Sequence, residues 1–147
     1  KKLRQALDPV GRNFHYVLID CPPSLGFLTI NALTASDSVL IPIQCEFLCM
    51  AGIPDLLATF NEVRTYFNPT LHIEGIVLTM FDERTNLSKQ VAEEIRRSLK
   101  AVMFESIVPR SVRLAEAPSF GKPIVVYDIR SKGAEAYLNL AQELLSK

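Results

Sequence analysis

The sequence predicts an α/β fold built on a doubly wound, mostly parallel sheet with helices on both faces. Three observations predict it. Short runs rich in Val and Ile do not alternate with polar residues, which is how strands read when both faces are covered. Amphipathic helical stretches lie between those runs. Strand followed by helix, repeated along the chain, requires right-handed crossovers and hence a wound parallel sheet.

The first apolar run is Tyr16-Val17-Leu18-Ile19, and it predicts a strand. Ser24 is placed to cap a helix that continues to about Ala35. The second strand is expected over Ser38-Val39-Leu40-Ile41-Pro42, the third over Ile73 to Met80 and the fourth over Met103 to Val108. Between the second and third, Ile53, Leu56, Leu57, Phe60, Val63 and Phe67 fall on one helical face. Leu87, Val91, Ile95 and Leu99 mark the next helix, and Ala134, Leu138, Ala141 and Leu145 the last. Pro109, Pro118, Gly121 and Pro123 make the segment from Pro109 to Tyr127 a loop with one helical turn. No domain boundary is evident, so residues 1–147 are expected to form a single domain.

Composition narrows the classes of function. Hydrophobic residues make up 48% and charged residues 22% of the 147, an ordinary globular balance. No apolar run approaches the ~20 residues of a membrane-spanning helix, and no signal peptide is recognised. Cys21, Cys45 and Cys49 are an odd set without paired CxxC motifs, which predicts reduced thiols and a cytoplasmic protein. Sixteen basic residues balance sixteen acidic ones, so the chain as a whole has no general affinity for polyanions. From Arg84 to Lys132, however, ten basic residues face five acidic ones, and a local basic surface is expected there. The first residue is Lys1 rather than methionine, and the chain is expected to be a piece of something longer.

In a parallel sheet, ligands collect at the carboxyl ends of the strands. Three such ends carry chemistry. Asp20 follows the first apolar run and precedes Cys21-Pro22-Pro23-Ser24-Leu25-Gly26. A carboxylate there reads as a holder of the water shell of Mg²⁺ or as a cap of the next helix. Two prolines stiffen the exit, and Gly26 permits a turn. The second end is Thr79-Met80-Phe81-Asp82-Glu83-Arg84-Thr85-Asn86, a base-side nucleotide contact or, at Thr85 and Asn86, a helix cap. The third is Val108-Pro109-Arg110-Ser111-Val112-Arg113, a ligand loop or a surface loop with solvated arginines.

Taken together, YVLIDCPPSLGFLTINALTASDSVLIPIQCE, LTMFDERTNLS, IVPRSVRLAEAPSFGKPIVVYD and RSKGAEAYLNLA resemble, in this order, the ParA/Soj family of chromosome-partitioning ATPases. The resemblance runs from about Phe14 to Leu145 and implies a P-loop NTPase-like fold lacking its N-terminal strands. Asp20 matches the Walker B aspartate, which acts on Mg²⁺ through water. Cys21, Pro22, Pro23, Ser24 and Gly26 match the switch II segment. Met80, Pro109 and Arg110 match segments that flank the adenine. The resemblance also implies ATP and Mg²⁺ as cofactors, a homodimer in the ATP state, DNA binding without sequence preference, and stimulation by a ParB-type partner. Non-specific DNA binding directs attention to exposed arginines near strand ends, Arg84 and Arg113, with Arg113 ranked first because only Glu116 lies near it in sequence. A cytoplasmic, nucleoid-associated location follows.

The departure from the family is as clear as the match. The Walker A loop, KGGxGKT, is absent, and the six glycines at 11, 26, 52, 75, 121 and 133 are too scattered to form one. The chain is therefore expected to be the C-terminal portion of such an ATPase, inactive alone, as a truncated product, an excised domain or an isolated fragment. Two other classes stay open. A MinD-like membrane ATPase needs a basic amphipathic C-terminal helix, and the tail has Glu135 and Glu143 instead. A non-enzymatic interaction module that kept the fold and lost the nucleotide fits the absent loop.

Overall fold

The computed structural model describes residues 2–11, 13–22, 24–99 and 103–146. Helix α1 spans Lys2–Gly11, α2 Phe27–Ala35, β1 Ser38–Gln44, α3 Cys49–Tyr66, β2 His72–Phe81, α4 Asn86–Leu99 and β3 Met103–Pro109. Three short helical pieces follow, α5 at Val112–Glu116, a 3-10 turn at Ala117–Phe120 and α6 at Ile124–Tyr127, before α7 at Lys132–Leu145. The sheet is three-stranded and parallel, in the order β1-β2-β3. Contacts divide the chain into two compact units, Lys1–Val39 with Gly52–Glu74 and Leu40–Ala51 with Gly75–Lys147.

In the first unit, Leu33, Phe60, Val63 and Leu71 form a buried cluster with Ile30, Val39 and Ile73 against it. Asn68, 2% exposed, is the polar centre of this unit. Its amide nitrogen donates to the carbonyls of Leu33 at 3.0 Å and Ser36 at 2.7 Å, and its oxygen accepts the Thr70 hydroxyl at 3.0 Å. These bonds satisfy carbonyls at the end of α2 that have no partner within the helix.

Two expectations for this unit fail. Tyr16 to Ile19 is not a strand, and Leu18 is 88% exposed. A strand exists only where a neighbour accepts its N–H groups, and the sheet is made of β1, β2 and β3 without this run. Nor does Ser24 cap α2. Gly26 takes the cap position at φ −87°, ψ −171°, with no side-chain hydrogen bond. The Ser24 carbonyl instead accepts the Thr29 hydroxyl at 2.6 Å. Helix α1, with Pro9 inside it, was not anticipated from the sequence.

In the second unit, β2 and β3 pair in parallel, with Ile76 opposite Met103, Leu78 opposite Ile107 and Phe81 opposite Pro109. Ile76, Val77 and Leu78 are all buried, as expected of a strand covered on both faces. Val77, Phe104, Val108 and Leu140 form a core extended by Leu40, Leu114 and Leu144. Ala117, Ile124 and Ala134 form another. Gly133 lets α7 approach this layer, since a Cβ there would lie 2.6 Å from Cγ of Leu114.

The buried face of α7 differs from the expected one. Gly133, Ala134, Ala136 and Leu140 are buried, whereas Leu138 is 48% and Leu145 65% exposed. Steps of three and four leave two apolar stripes on this helix, and contact with β3 selects the second. The segment after Pro109 also holds more helix than the single turn expected.

Between the first two register points β3 uses four residues where β2 uses two. The strand bulges there, and Glu143 of α7 fills the gap. Its Oε1 accepts the N–H of Glu105 at 2.7 Å, and its Oε2 accepts the N–H of Ser106 at 3.0 Å and the Ser106 hydroxyl at 2.8 Å.

Candidate functional site

The carboxyl ends of β1, β2 and β3 are joined by one arginine. The N–H of Arg110 donates to the carbonyl of Phe81 at 2.8 Å. Its guanidinium pairs with the carboxylate of Glu46, which follows β1. Behind them the Cys45 N–H donates to Thr79 at 2.9 Å, and the Ser88 hydroxyl donates to Cys45 at 3.2 Å. The loops after the strands are thus fixed to one another by backbone as well as by charge.

Met80 sits at this edge with φ 53°, a left-handed conformation that costs a non-glycine residue about 1–2 kcal/mol. Strain of this kind persists only where its surroundings enforce it. Here the register slips between Leu78 and Phe81, and the bond from Arg110 holds the Phe81 carbonyl. A cleft of about 440 Å³ opens beside the edge, lined by Glu46, Phe47, Asp82, Thr85, Ser88 and Arg110 among others. A second, of about 270 Å³, is lined by Phe81, Ser106, Ile107, Pro109, Lys132 and Asn139 among others. Arg110 and Pro109 therefore border different clefts. The Arg110 N–H is bonded to Phe81 and so is not open to a ligand.

Asp82 accepts the N–H and Nε of Arg84 on Oδ1 at 3.0 and 2.9 Å, and Nη2 on Oδ2 at 2.8 Å. Side-chain hydrogen bonding from Arg84 pulls the Asp82 carboxyl down to about 2. Arg84 is therefore a paired cation, as its neighbours suggested. Arg113 is paired more fully than the sequence indicated. Its Nη1 lies 3.3 Å from Glu116, and its Nε lies 3.6 Å from Asp128. Hydrogen bonding to Tyr127 is the main cause that raises the Arg113 pKa, followed by the charge of Glu116. On α4, Arg97 pairs with Glu94 at 3.2 Å.

Asp20 and the residues Cys21, Pro22, Ser24 and Gly26 belong to the first unit. Pro23 lies outside the described residues. Asp20 is exposed and is in no ion pair recorded among the described residues, so its carboxylate suits the water shell of a cation. The Cys21 thiol is pushed up by burial and by Asp20, and Cys45 by burial to about 11, so both are neutral. Among the described residues no three His, Cys, Asp or Glu side chains are grouped to hold a metal ion. A magnesium ion here would rely on phosphate and water for its other ligands. No helix among the described residues is long and apolar enough to cross a membrane.

Glu46 was missed as a site residue. Its signal is the same as that of Asp20, a carboxylate placed just after an apolar run.

The parallel three-stranded sheet with its helices is of the P-loop NTPase kind, as its structural neighbours are. The cobyrinic acid a,c-diamide synthase of Mycobacterium smegmatis, solved with a bound ATP analogue and magnesium, superposes with a TM-score of 0.79 at 35% identity, over 97% of this chain and 51% of that one. Residues 1–73 match the AAA domain family. The chain is 56% identical to the chromosome partitioning protein ParA of Myxococcus xanthus over 99% of its length, covering 52% of that relative. It is 54% identical to the sporulation initiation inhibitor protein Soj of Bacillus subtilis over 97%, covering 56% of it. The chain belongs to the ParA/Soj family. It spans little more than half the length of these relatives.

Proposed function

We propose that this chain is the C-terminal part of a Mg²⁺-dependent ATPase that partitions chromosomes or plasmids. The observation that carries the proposal is the edge joined by Arg110, in a chain 56% identical to a ParA protein. Bound ATP supplies the phosphoryl group to be transferred, and Mg²⁺ neutralises charge on its phosphates. The residues that hold the phosphates themselves lie outside these 147, since no glycine-rich loop occurs among them.

The part of this chain is to position. Asp20 orients the water shell of the ion. Cys21, Pro22, Pro23, Ser24 and Gly26 form the switch segment that follows it. Met80, Pro109 and Arg110 flank the base, and the tie from Arg110 to Phe81 keeps the loops at β2 and β3 in register. Arg84 and Arg113 contact DNA phosphates without reading sequence. The full-length protein acts as a homodimer in its ATP state, on the nucleoid in the cytoplasm, with a ParB-type partner that stimulates hydrolysis. Helix α7 itself offers no basic face to a membrane, its charged residues being Lys132, Glu135 and Glu143.

Phosphate release tests the reading. The full-length protein turns over ATP faster with duplex DNA and a ParB-type partner, and Asp20→Ala lowers that turnover by orders of magnitude while the melting temperature holds. The 147-residue chain alone releases phosphate no faster than buffer. Undiminished turnover in Asp20→Ala, or turnover by the chain alone that Asp20→Ala removes, overturns it.

A further inference from the structure

Arg113 is held by two carboxylates from different parts of the chain. Glu116 lies one helical turn along α5, and Asp128 lies beyond α6. Neither is loosely placed. Oε2 of Glu116 also accepts the Tyr127 hydroxyl at 3.2 Å, and the Tyr127 ring stacks on Phe120 with centroids 5.1 Å apart. Asp128 sits where α6 ends and α7 begins. Its N–H donates to Ile124 at 2.8 Å, and its carbonyl accepts the Ser131 hydroxyl at 2.8 Å, the same hydroxyl that caps α7. Yet the Arg113 side chain is 58% exposed, so an incoming anion can reach it.

A carboxylate and a phosphodiester both take a guanidinium through paired N–H donors. The carboxylates lie against Nη1 and Nε, so a phosphate that approaches the fork shares the guanidinium charge with two anions already beside it. Exposed pairs of this kind are weak, and a polyanion that sheds counterions on binding outcompetes them. A lone small anion lacks that gain.

We propose that Glu116 and Asp128 form an acidic clamp that competes with the DNA backbone for Arg113, and so sets how tightly this surface holds duplex DNA. The proposal rests on the reading of Arg113 as a DNA contact. It assigns to two carboxylates, which touch no nucleic acid base, control over affinity without any effect on sequence preference. Tyr127 and the α6–α7 junction hold the clamp in place, so its strength is a property of the folded loop.

The test is fluorescence anisotropy of a short labelled duplex with the full-length protein, ATP and Mg²⁺, across several salt concentrations. Glu116→Gln with Asp128→Asn keeps side-chain size and removes both charges. It raises affinity by about fivefold or more, equally for unrelated sequences. In the Arg113→Ala background the same pair of changes gives no gain. Asp128→Asn alone leaves the bond from Tyr127 to Glu116 intact, so it reports even where the double variant folds poorly, and it gives roughly a twofold gain. An unchanged affinity in Asp128→Asn overturns the clamp, as does a gain that survives Arg113→Ala, which would be a general effect of lost negative charge. Failure of the underlying reading looks different. There, Arg84→Glu with Arg113→Glu leaves the affinity of the otherwise wild-type protein unchanged.

Discussion

Glu143 holds Ser106 twice, accepting its backbone N–H at 3.0 Å and its hydroxyl at 2.8 Å on the same carboxylate oxygen. With the N–H of Glu105 on the other oxygen, the side chain takes three donors from a strand that bulges out of register. Bonds to a charged acceptor contribute more than neutral ones. Glu143→Ala is expected to lower stability by about 1–3 kcal/mol, and Glu143→Gln by less, because the amide keeps one accepting oxygen. Urea unfolding of the three proteins checks this. Equal midpoints for all three would show that water replaces the carboxylate without loss.

Asn68 makes a parallel case in the first unit. It is buried and donates to two carbonyls, those of Leu33 and Ser36. Asn68→Ala strands both acceptors away from water and should cost about 1–3 kcal/mol. Asn68→Asp should cost at least as much, since the carboxylate cannot donate to either carbonyl. Thermal unfolding followed at several wavelengths measures both.

At the carboxyl edge, backbone and side chain of Arg110 have separable roles. Arg110→Ala removes the half-exposed pair with Glu46 but keeps the N–H that donates to Phe81. Nucleotide affinity of the full-length protein should fall modestly, by roughly fivefold at most, the yield of an exposed pair. Glu46→Gln should match it, and the two together should add little. Deleting Pro109 moves the N–H itself and should weaken binding far more. A titration with a fluorescent ATP analogue, with GTP as competitor, distinguishes these outcomes. Equal competition by ATP and GTP would count against Met80, Pro109 and Arg110 as the base-side wall.

Asp82 predicts a dependence on pH. Its carboxyl is lowered from 3.8 to about 2 by Arg84, so the folded state favours the ionised form. The stabilisation is therefore fully present above pH 3.8 and fades as pH falls toward 2. Asp82→Asn should narrow the difference in melting temperature between pH 5 and pH 2.5 (about the limits of that window). A difference identical to the wild type would show that the Asp82–Arg84 pair contributes nothing.

What could be read from the sequence follows from what each residue needs. Strands β1, β2 and β3 were legible because each Val- and Ile-rich run has a neighbour in the sheet, although only β2 carries a continuously buried run and β1 alternates buried Ile41 and Ile43 with exposed Pro42 and Gln44. Tyr16 to Ile19 has the same composition and no neighbour, and composition cannot report that difference. Helix α1 escaped notice because it buries nothing and carries a proline. On α7 the apolar residues form two stripes, and only contact with β3 chooses between them. The three strand ends were found because a polar residue after an apolar run is a local signal. Asp128 as a partner of Arg113 was not found, because folding of α5 and α6 brings it there and no local spacing does.

The glycines carry a consequence for inheritance. A Cβ at Gly75 would lie 2.2 Å from Cε2 of Phe104, whose ring is 1% exposed and has nowhere to retreat. Every missense change of that codon adds at least this one atom, so selection should purge all of them alike, whatever the chemistry of the new residue. Gly11 and Gly52 have nothing within 4 Å of the same point. A saturation library grown under selection for segregation would leave codon 75 nearly monomorphic, while codons 11 and 52 drift freely among small and polar alternatives.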